Sequence, residues 1–285
     1  MTEQEAFLQS KTDVSPQTQK NYKAQYLKWR TALGKDIQDA TQDEILKKLK
    51  IFTDNPSSQF TFSIVPIMVR RQFKKDINLI EERRNELNAE RICHIEKYKQ
   101  EKSATLPSKK IIVDFTKTLF QNNQYFKFII NYLLITYGVR NKDIDVFITD
   151  GTGKKLTDRN LLIVKKNEIE WIINDYKTVG TYGIKNIKIK SKPFMEAVKA
   201  LPINSWLFGG STHIAPTSLS TIVARNTYNK LTEGDYFKIL IRDANKSSNT
   251  SKLLKLYSES RGTSLESIMS NYDVSENCDI PDDLI

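Results

Sequence analysis

Arg140, Lys177, Arg242 and Tyr272 are the residues whose types and settings suggest chemistry. Arg140 closes the run Leu133-Leu-Ile-Thr-Tyr-Gly-Val-Arg140, just past an apolar helix and a glycine. An arginine at such a helix end can aim its planar fork inward. Lys177 follows a strand-like stretch and precedes the Gly-containing turn Val179–Gly183. Arg242 sits in the helical run Phe237-Lys-Ile-Leu-Ile-Arg242, and Tyr272 closes Gly262-Thr-Ser-Leu-Glu-Ser-Ile-Met-Ser-Asn-Tyr272. Each also has a plain structural reading: a helix-end charge, a hairpin lysine, an ion-pair partner, a half-buried aromatic.

Other site patterns are missing from the sequence. No Gly-rich loop opens a helix, so a nucleotide cradle is not expected. The two histidines, His94 and His213, stand in no nucleophile–base arrangement. Acidic pairs are scattered, unlike a two-metal site. Two cysteines, Cys93 and Cys278, exclude a disulfide framework and a Cys/His-rich zinc site. The pair Cys93-His94 has no spaced partner and reads as structural. No cofactor is expected. No apolar run reaches the roughly 18 residues of a membrane helix, and MTEQEAFLQS lacks a signal-peptide layout. The expected setting is the cytoplasm or the nucleus of a host cell, neither secreted nor membrane-bound.

The charge is uneven. The 285 residues carry 44 Lys and Arg against 34 Asp and Glu, a net +10. Residues 273–285 hold five of those acids and no base, so residues 1–272 carry 44 bases against 29 acids, or +15. Such an excess favours a polyanion, because each neutralised phosphate releases counterions.

The elements that must position these residues read as α+β and mostly helical. Residues 1–105 form one helical domain. Ser15-Pro16 starts a helix whose face is Tyr22, Tyr26, Trp29 and Leu33. Thr41-Gln-Asp-Glu44 is a capping box that opens a second. A long charged helix is expected over about Pro66–Lys99, and the Ser, Pro and Lys content of residues 100–110 reads as a linker. Residues 106–285 form a second domain. It starts with two helices, around Ile111–Leu119 and Tyr125–Leu133. The pattern then changes to short strands at Val146–Ile148, Leu161–Val164, Glu168–Ile173 and Ile184–Lys190, an expected antiparallel sheet of three or four strands. Further helices follow. The acidic tail after Tyr272 reads as an unstructured segment, with docking on a neighbouring protomer as the alternative.

Taken together and in order, Tyr137-Gly-Val-Arg140, Lys177 on the hairpin, Arg242 on a later helix and the Gly262–Tyr272 segment resemble the tyrosine recombinase (phage-integrase) family, relatives of type IB topoisomerases. The helical first domain, with Ser15-Pro-Gln-Thr, Asn21-Tyr22 and a following Trp, resembles the family's core-binding domain, so the resemblance spans nearly the whole chain. There are departures. The family histidine three residues before the second arginine is Ile239 here, with Lys238 and Tyr236 nearby, and the family His or Trp after Gly262 is Thr263. Lys252 is the alternative to Arg242.

The resemblance implies a site-specific recombinase or integrase, acting without metal or ATP. Tyr272 would attack a DNA phosphodiester to form a 3′-phosphotyrosyl link, Arg140 and Arg242 would hold the phosphate, and Lys177 would donate the proton. Lys238, Thr263 and Lys252 are auxiliary candidates. The partner is double-stranded DNA, bound by a homo-oligomer, a tetramer. Arg70, Arg71, Lys74, Lys75, Lys109, Lys110, Lys154 and Lys155 are candidate phosphate contacts, which add affinity without reading sequence. The missing histidines keep open a catalytically decayed DNA-binding relative. A type IB topoisomerase and an unrelated basic helical protein complete the alternatives.

Overall fold

The computed structural model describes residue 14 and residues 16–152, 159–209 and 214–273. The chain is α+β and mostly helical, with one small mixed sheet. It divides into two compact units, Met1–Tyr98 and Lys99–Ile285.

Within the first unit lie α1 (Pro16–Leu33), α2 (Gln42–Phe52), α3 (Pro56–Phe62) and α4 (Ile64–Gln72). A fifth helix, α5 (Asn78–Thr105), carries the chain across the division. The unit has its own core, with Tyr26, Trp29, Ile37, Ile45, Leu49, Val65 and Leu87 buried together. Trp29 packs edge-on to Phe52 and donates its indole N–H to the carbonyl of Phe62 at 3.1 Å. The capping box at α2 forms: Thr41 Oγ1 accepts from Glu44 N–H, and Glu44 returns a bond to Thr41 N–H at 2.7 Å. The expected unbroken helix over Pro66–Lys99 is interrupted between Gln72 and Asn78. Lys74 there adopts φ 51°, and Lys75 N–H closes on the Arg70 carbonyl. Charge composition carries no trace of such a reversal.

The second unit starts with α6 (Lys109–Gln121) and α7 (Tyr125–Tyr137). The expected linker shrinks accordingly: residues 100–105 are helical and only Leu106–Ser108 separate α5 from α6. Pro107 stops one helix and Ser108 caps the next through Ile111 N–H. The strands are β1 (Val146–Thr149), β2 (Asn160–Val164), β3 (Ile169–Ile173), β4 (Lys185–Ile189) and β5 (Ser205–Trp206), in the order β4-β3-β2-β1-β5. The sheet is not the expected antiparallel one. β1 and β2 run parallel, with Phe147 opposite Leu161, while the other pairs are antiparallel. Strand periodicity is 2 in either direction, so sequence spacing does not distinguish them. β5, at two residues, is too short to show a pattern.

A turn α8 (Val179–Tyr182) joins β3 to β4, and α9 (Lys192–Lys199) packs on α7 and β2. Then come α10 (Pro216–Arg225), α11 (Glu233–Asn245), α12 (Thr250–Arg261) and α13 (Leu265–Asn271). The core gathers Leu133 and Leu134 of α7, Trp171 of β3, Phe194 of α9, and Phe237 and Leu240 of α11. Apolar faces of α7 and α11 meet there, and their ends deliver the polar residues described next. The acidic tail from residue 274 lies outside the described residues.

Candidate functional site

Helix α7 stops at Gly138, which takes the left-handed conformation (φ 64°) and caps the helix through Leu134 O. A Cβ there would lie 2.7 Å from the Phe237 ring, so side chains are excluded twice over. The stop throws Arg140 to the rim of a cleft of about 610 Å³, lined also by Asn141, Asn160, Ser220, Glu233 and Gly234. The backbone is pinned by Arg140 N–H donating to Asp143 Oδ2 at 2.9 Å. Asp143 is 1% exposed. Burial pushes its carboxyl up to about 6, against the hydrogen bond from Arg140 and the charges of Arg140 and Lys185.

Arg140 reaches the end of α12, donating from Nη1 to the carbonyl of Arg261. Burial, and then the charge of Arg261, push the Arg140 guanidinium below its usual range. Arg261 is 2% exposed. Its Nη1 donates to the carbonyls of Gly138 (2.9 Å) and Val139 (3.2 Å). Its Nη2 donates to Glu233 Oε1 (3.1 Å) and, weakly, to the Tyr272 hydroxyl (3.4 Å). The guanidinium lies over the rings of Phe237 and Tyr272, at 4.3 and 5.0 Å from their centroids. Phe237 meets Tyr272 edge-on at 4.8 Å. Phe237, Tyr272 and the Arg261 guanidinium thus pack as one mutually contacting triangle.

Lys185 enters from β4. Its Nζ donates to the carbonyl of Ser260 at 2.9 Å and lies 4.1 Å from the centre of the Tyr176 ring. Burial pushes its ammonium down to about 8; Asp143 opposes the shift and Arg140 adds to it. Thr178 Oγ1 donates to the carbonyl of Gly262 at 2.8 Å. Gly262 has φ 60°, and a Cβ on it would meet Thr178 Oγ1 at 2.6 Å and Lys185 Nζ at 3.1 Å. The chain therefore turns from α12 to α13 directly against Thr178 and Lys185, and that close turn brings Tyr272 back.

The structure brings Arg140 and Tyr272 to one cluster and leaves others outside it. Arg242 donates to the carbonyls of Leu106 and Pro107. It lies five residues beyond Phe237, about 140° further round α11, so it faces away from Tyr272. Lys252 is exposed on α12, nine residues before Arg261 and about half a turn out of phase with it. Lys177 is exposed in the turn before α8. Lys238 is half-buried on α11, and half-buried Thr263 offers its carbonyl to Ser258 Oγ.

The expected phosphate contacts separate as well. Arg70 is 7% exposed and bonds the carbonyls of Asp76 and Ala40, which makes it a strut of the first unit. Arg71 pairs with Glu81, and Lys109 with Asp243 at 2.8 Å. Lys74, Lys75 and Lys110 are exposed. Lys154 and Lys155 lie outside the described residues, as does His213.

Sequence reasoning missed Arg261, Lys185, Asp143 and Glu233. Lys185 had a signal: it shares a strand face with Ile187 and Ile189, a lysine in an inward register. Arg261 lies beside the left-handed, helix-ending Gly262, as Arg140 lies near Gly138, though before its glycine rather than after it.

Among solved structures, the chain is similar to a crystal structure of XerA recombinase with a TM-score of 0.35 and 11% sequence identity, over 95% of this chain and 92% of that one. No protein-family model matches the chain, and no curated protein does. Among the described residues no helix is long and apolar enough to cross a membrane.

Proposed function

We propose that this chain cuts and rejoins double-stranded DNA through a tyrosyl intermediate, as a strand transferase of the tyrosine recombinase type. The carrying observation is the convergence on one short stretch of backbone. Arg140 bonds the carbonyl of residue 261, Lys185 the carbonyl of residue 260, and Arg261 itself donates to Tyr272.

The chemistry follows from these positions. A phenol is a weak nucleophile at neutral pH and needs a neighbouring positive charge. Arg261 supplies it to Tyr272. Attack forms the bond from the Tyr272 oxygen to phosphorus, with the phenolic proton passing to water, and breaks the bond from phosphorus to the 5′ oxygen. Arg140 stabilises the extra charge on the non-bridging oxygens. Lys185 gives a proton to the departing oxygen, a role suited to an ammonium that titrates near 8. The bond energy stays in the phosphotyrosine and is returned on religation. In this reading Lys185 and Arg261 take the parts that the sequence assigned to Lys177 and Arg242. The enzyme works as a homo-oligomer on DNA, and exposed Lys74, Lys75 and Lys110 add phosphate contacts.

The test is covalent capture. DNA sites selected by binding are rebuilt with a nick beside each candidate phosphate. Wild-type protein forms an SDS-resistant adduct on them; Tyr272→Phe forms none and still binds. Failure of the wild type on every such site would sink the cutting reading.

A second reading, a DNA-binding relative that no longer cuts, is favoured by one observation. All four terminal N–H groups of Arg261 are taken by protein acceptors. Binding without any adduct selects it. Relaxation of supercoiled DNA without a preferred site selects a type IB topoisomerase.

A further inference from the structure

Glu233 has no part in the chemistry above, yet it occupies the most telling place in the cleft. It is the first residue of α11, and its side chain is 22% exposed. One carboxylate oxygen accepts from Arg261 Nη2 and the other from the backbone N–H of Asn141. The charges of Arg140 and Asp143 both respond to it. A guanidinium N–H and a backbone N–H converging on two oxygens are also the donors that hold a phosphate. The other acceptors of Arg261 are a phenol and two buried backbone carbonyls, which belong to the fold. Glu233 alone among its partners is an anion at the cleft surface.

We propose that Glu233 is an intramolecular stand-in for a phosphate. Asn141 N–H and Arg261 form an oxyanion site that the DNA-free chain fills with its own carboxylate. A phosphodiester oxygen takes the site when Glu233 swings out on its flexible side chain. The cleft then gains two donors and loses a negative charge in a single exchange, so entry of the phosphate and release of Arg261 are the same event. This deepens the strand-transfer reading and rests on it only for the identity of the anion.

Inorganic phosphate is the first probe, read by isothermal titration on the full chain, with Glu233→Gln, Glu233→Asp and Asp175→Asn beside the wild type. Asp175 lines the same cleft but pairs with Lys142, so it controls for simple loss of negative charge. Removing a competitor that fills about nine-tenths of the sites tightens binding about tenfold. Glu233→Gln is expected to show that gain and Asp175→Asn much less. Glu233→Asp keeps the charge but is one methylene too short to bridge both donors, and is expected to gain in part. On a short DNA duplex, Glu233→Gln is expected to steepen the salt dependence by about one phosphate. Equal phosphate binding in wild type and Glu233→Gln, or an equal gain in Asp175→Asn, overturns the proposal. So does loss of the cooperative melt in both Glu233 variants, since a carboxylate the fold needs is not a displaceable one. If Glu233→Gln gains phosphate affinity and no adduct is ever seen, the anion site stands and the cutting reading falls.

Discussion

Lys185 Nζ lies 2.9 Å from the carbonyl oxygen of Ser260, and that carbonyl is the one just before Arg261. A strand lysine is thereby tied to the helix end that carries the second guanidinium. A lysine acting as general acid must hold its proton, and here the proton leaves near pH 8. Adduct formation is therefore expected to fall as pH rises through about 8, with binding less affected. Lys185→Arg stays charged at that pH and is expected to move the fall upward while slowing the reaction. A pH profile of single-turnover cleavage checks both; an unmoved profile in Lys185→Arg would remove Lys185 from the proton transfer.

Asp143 makes the opposite kind of prediction, about stability. Its carboxyl titrates near 6 in the folded chain against an ordinary 3.8. The folded state holds the proton more tightly, so this stability is present below about pH 4 and is lost as pH rises through 6. Asp143→Asn keeps an acceptor for Arg140 N–H and removes the titration. Relative to wild type, it is expected to gain stability progressively between pH 4 and 6, up to roughly 3 kcal/mol. Thermal melts across that range measure the difference. A constant difference would mean that Asp143 is ionised throughout.

Arg242 and Arg261 should part company on substitution. Arg242→Ala removes a charged donor from the Leu106 and Pro107 carbonyls, and is expected to cost about 1.5–3 kcal/mol of stability. Its adduct yield, measured below the melting point, should match wild type. Arg261→Ala is expected to abolish the adduct. Equal loss of adduct in both would return Arg242 to the site.

Two glycines offer a matched pair. Gly34 has φ 69° with open space around it, so Gly34→Ala is expected to cost only the left-handed conformation, about 1–2 kcal/mol. Gly262→Ala adds a contact at 2.6 Å with Thr178 Oγ1. It should cost more and also slow adduct formation, because Thr178 and Lys185 must shift. Denaturant melts of the two variants compare the costs directly.

Much of the fold was legible because it rests on local periodicity. The Thr41–Glu44 capping box and the helix ending at Gly138 are short-range signals, and both are present. The parallel pairing of β1 with β2 has no such signal, since strand direction leaves side-chain alternation unchanged. At the site, Arg140 and Tyr272 were visible because a glycine turn or a distinctive segment flags each. Arg242, an arginine on an apolar helix, looks inward in sequence, and only the phase of α11 relative to Phe237 shows that it faces away from Tyr272. Arg70 is the reverse case, reading as surface charge in sequence while it is buried and braces two carbonyls. Lys185 gives a weaker signal, since a lysine's charge points to solvent while its strand register, shared with Ile187 and Ile189, points inward.

The bonds from Arg261 back to Gly138 and Val139 span 123 and 122 residues of chain. During synthesis, a ribosome-bound chain can complete the first unit and the sheet long before residue 261 emerges. Until then Arg140 has no carbonyl of residue 261 to bond, and Tyr272 does not yet exist. Closure of so long a loop comes late in folding. An unfinished chain thus carries most of its basic residues but no assembled cluster of Arg140, Arg261 and Tyr272.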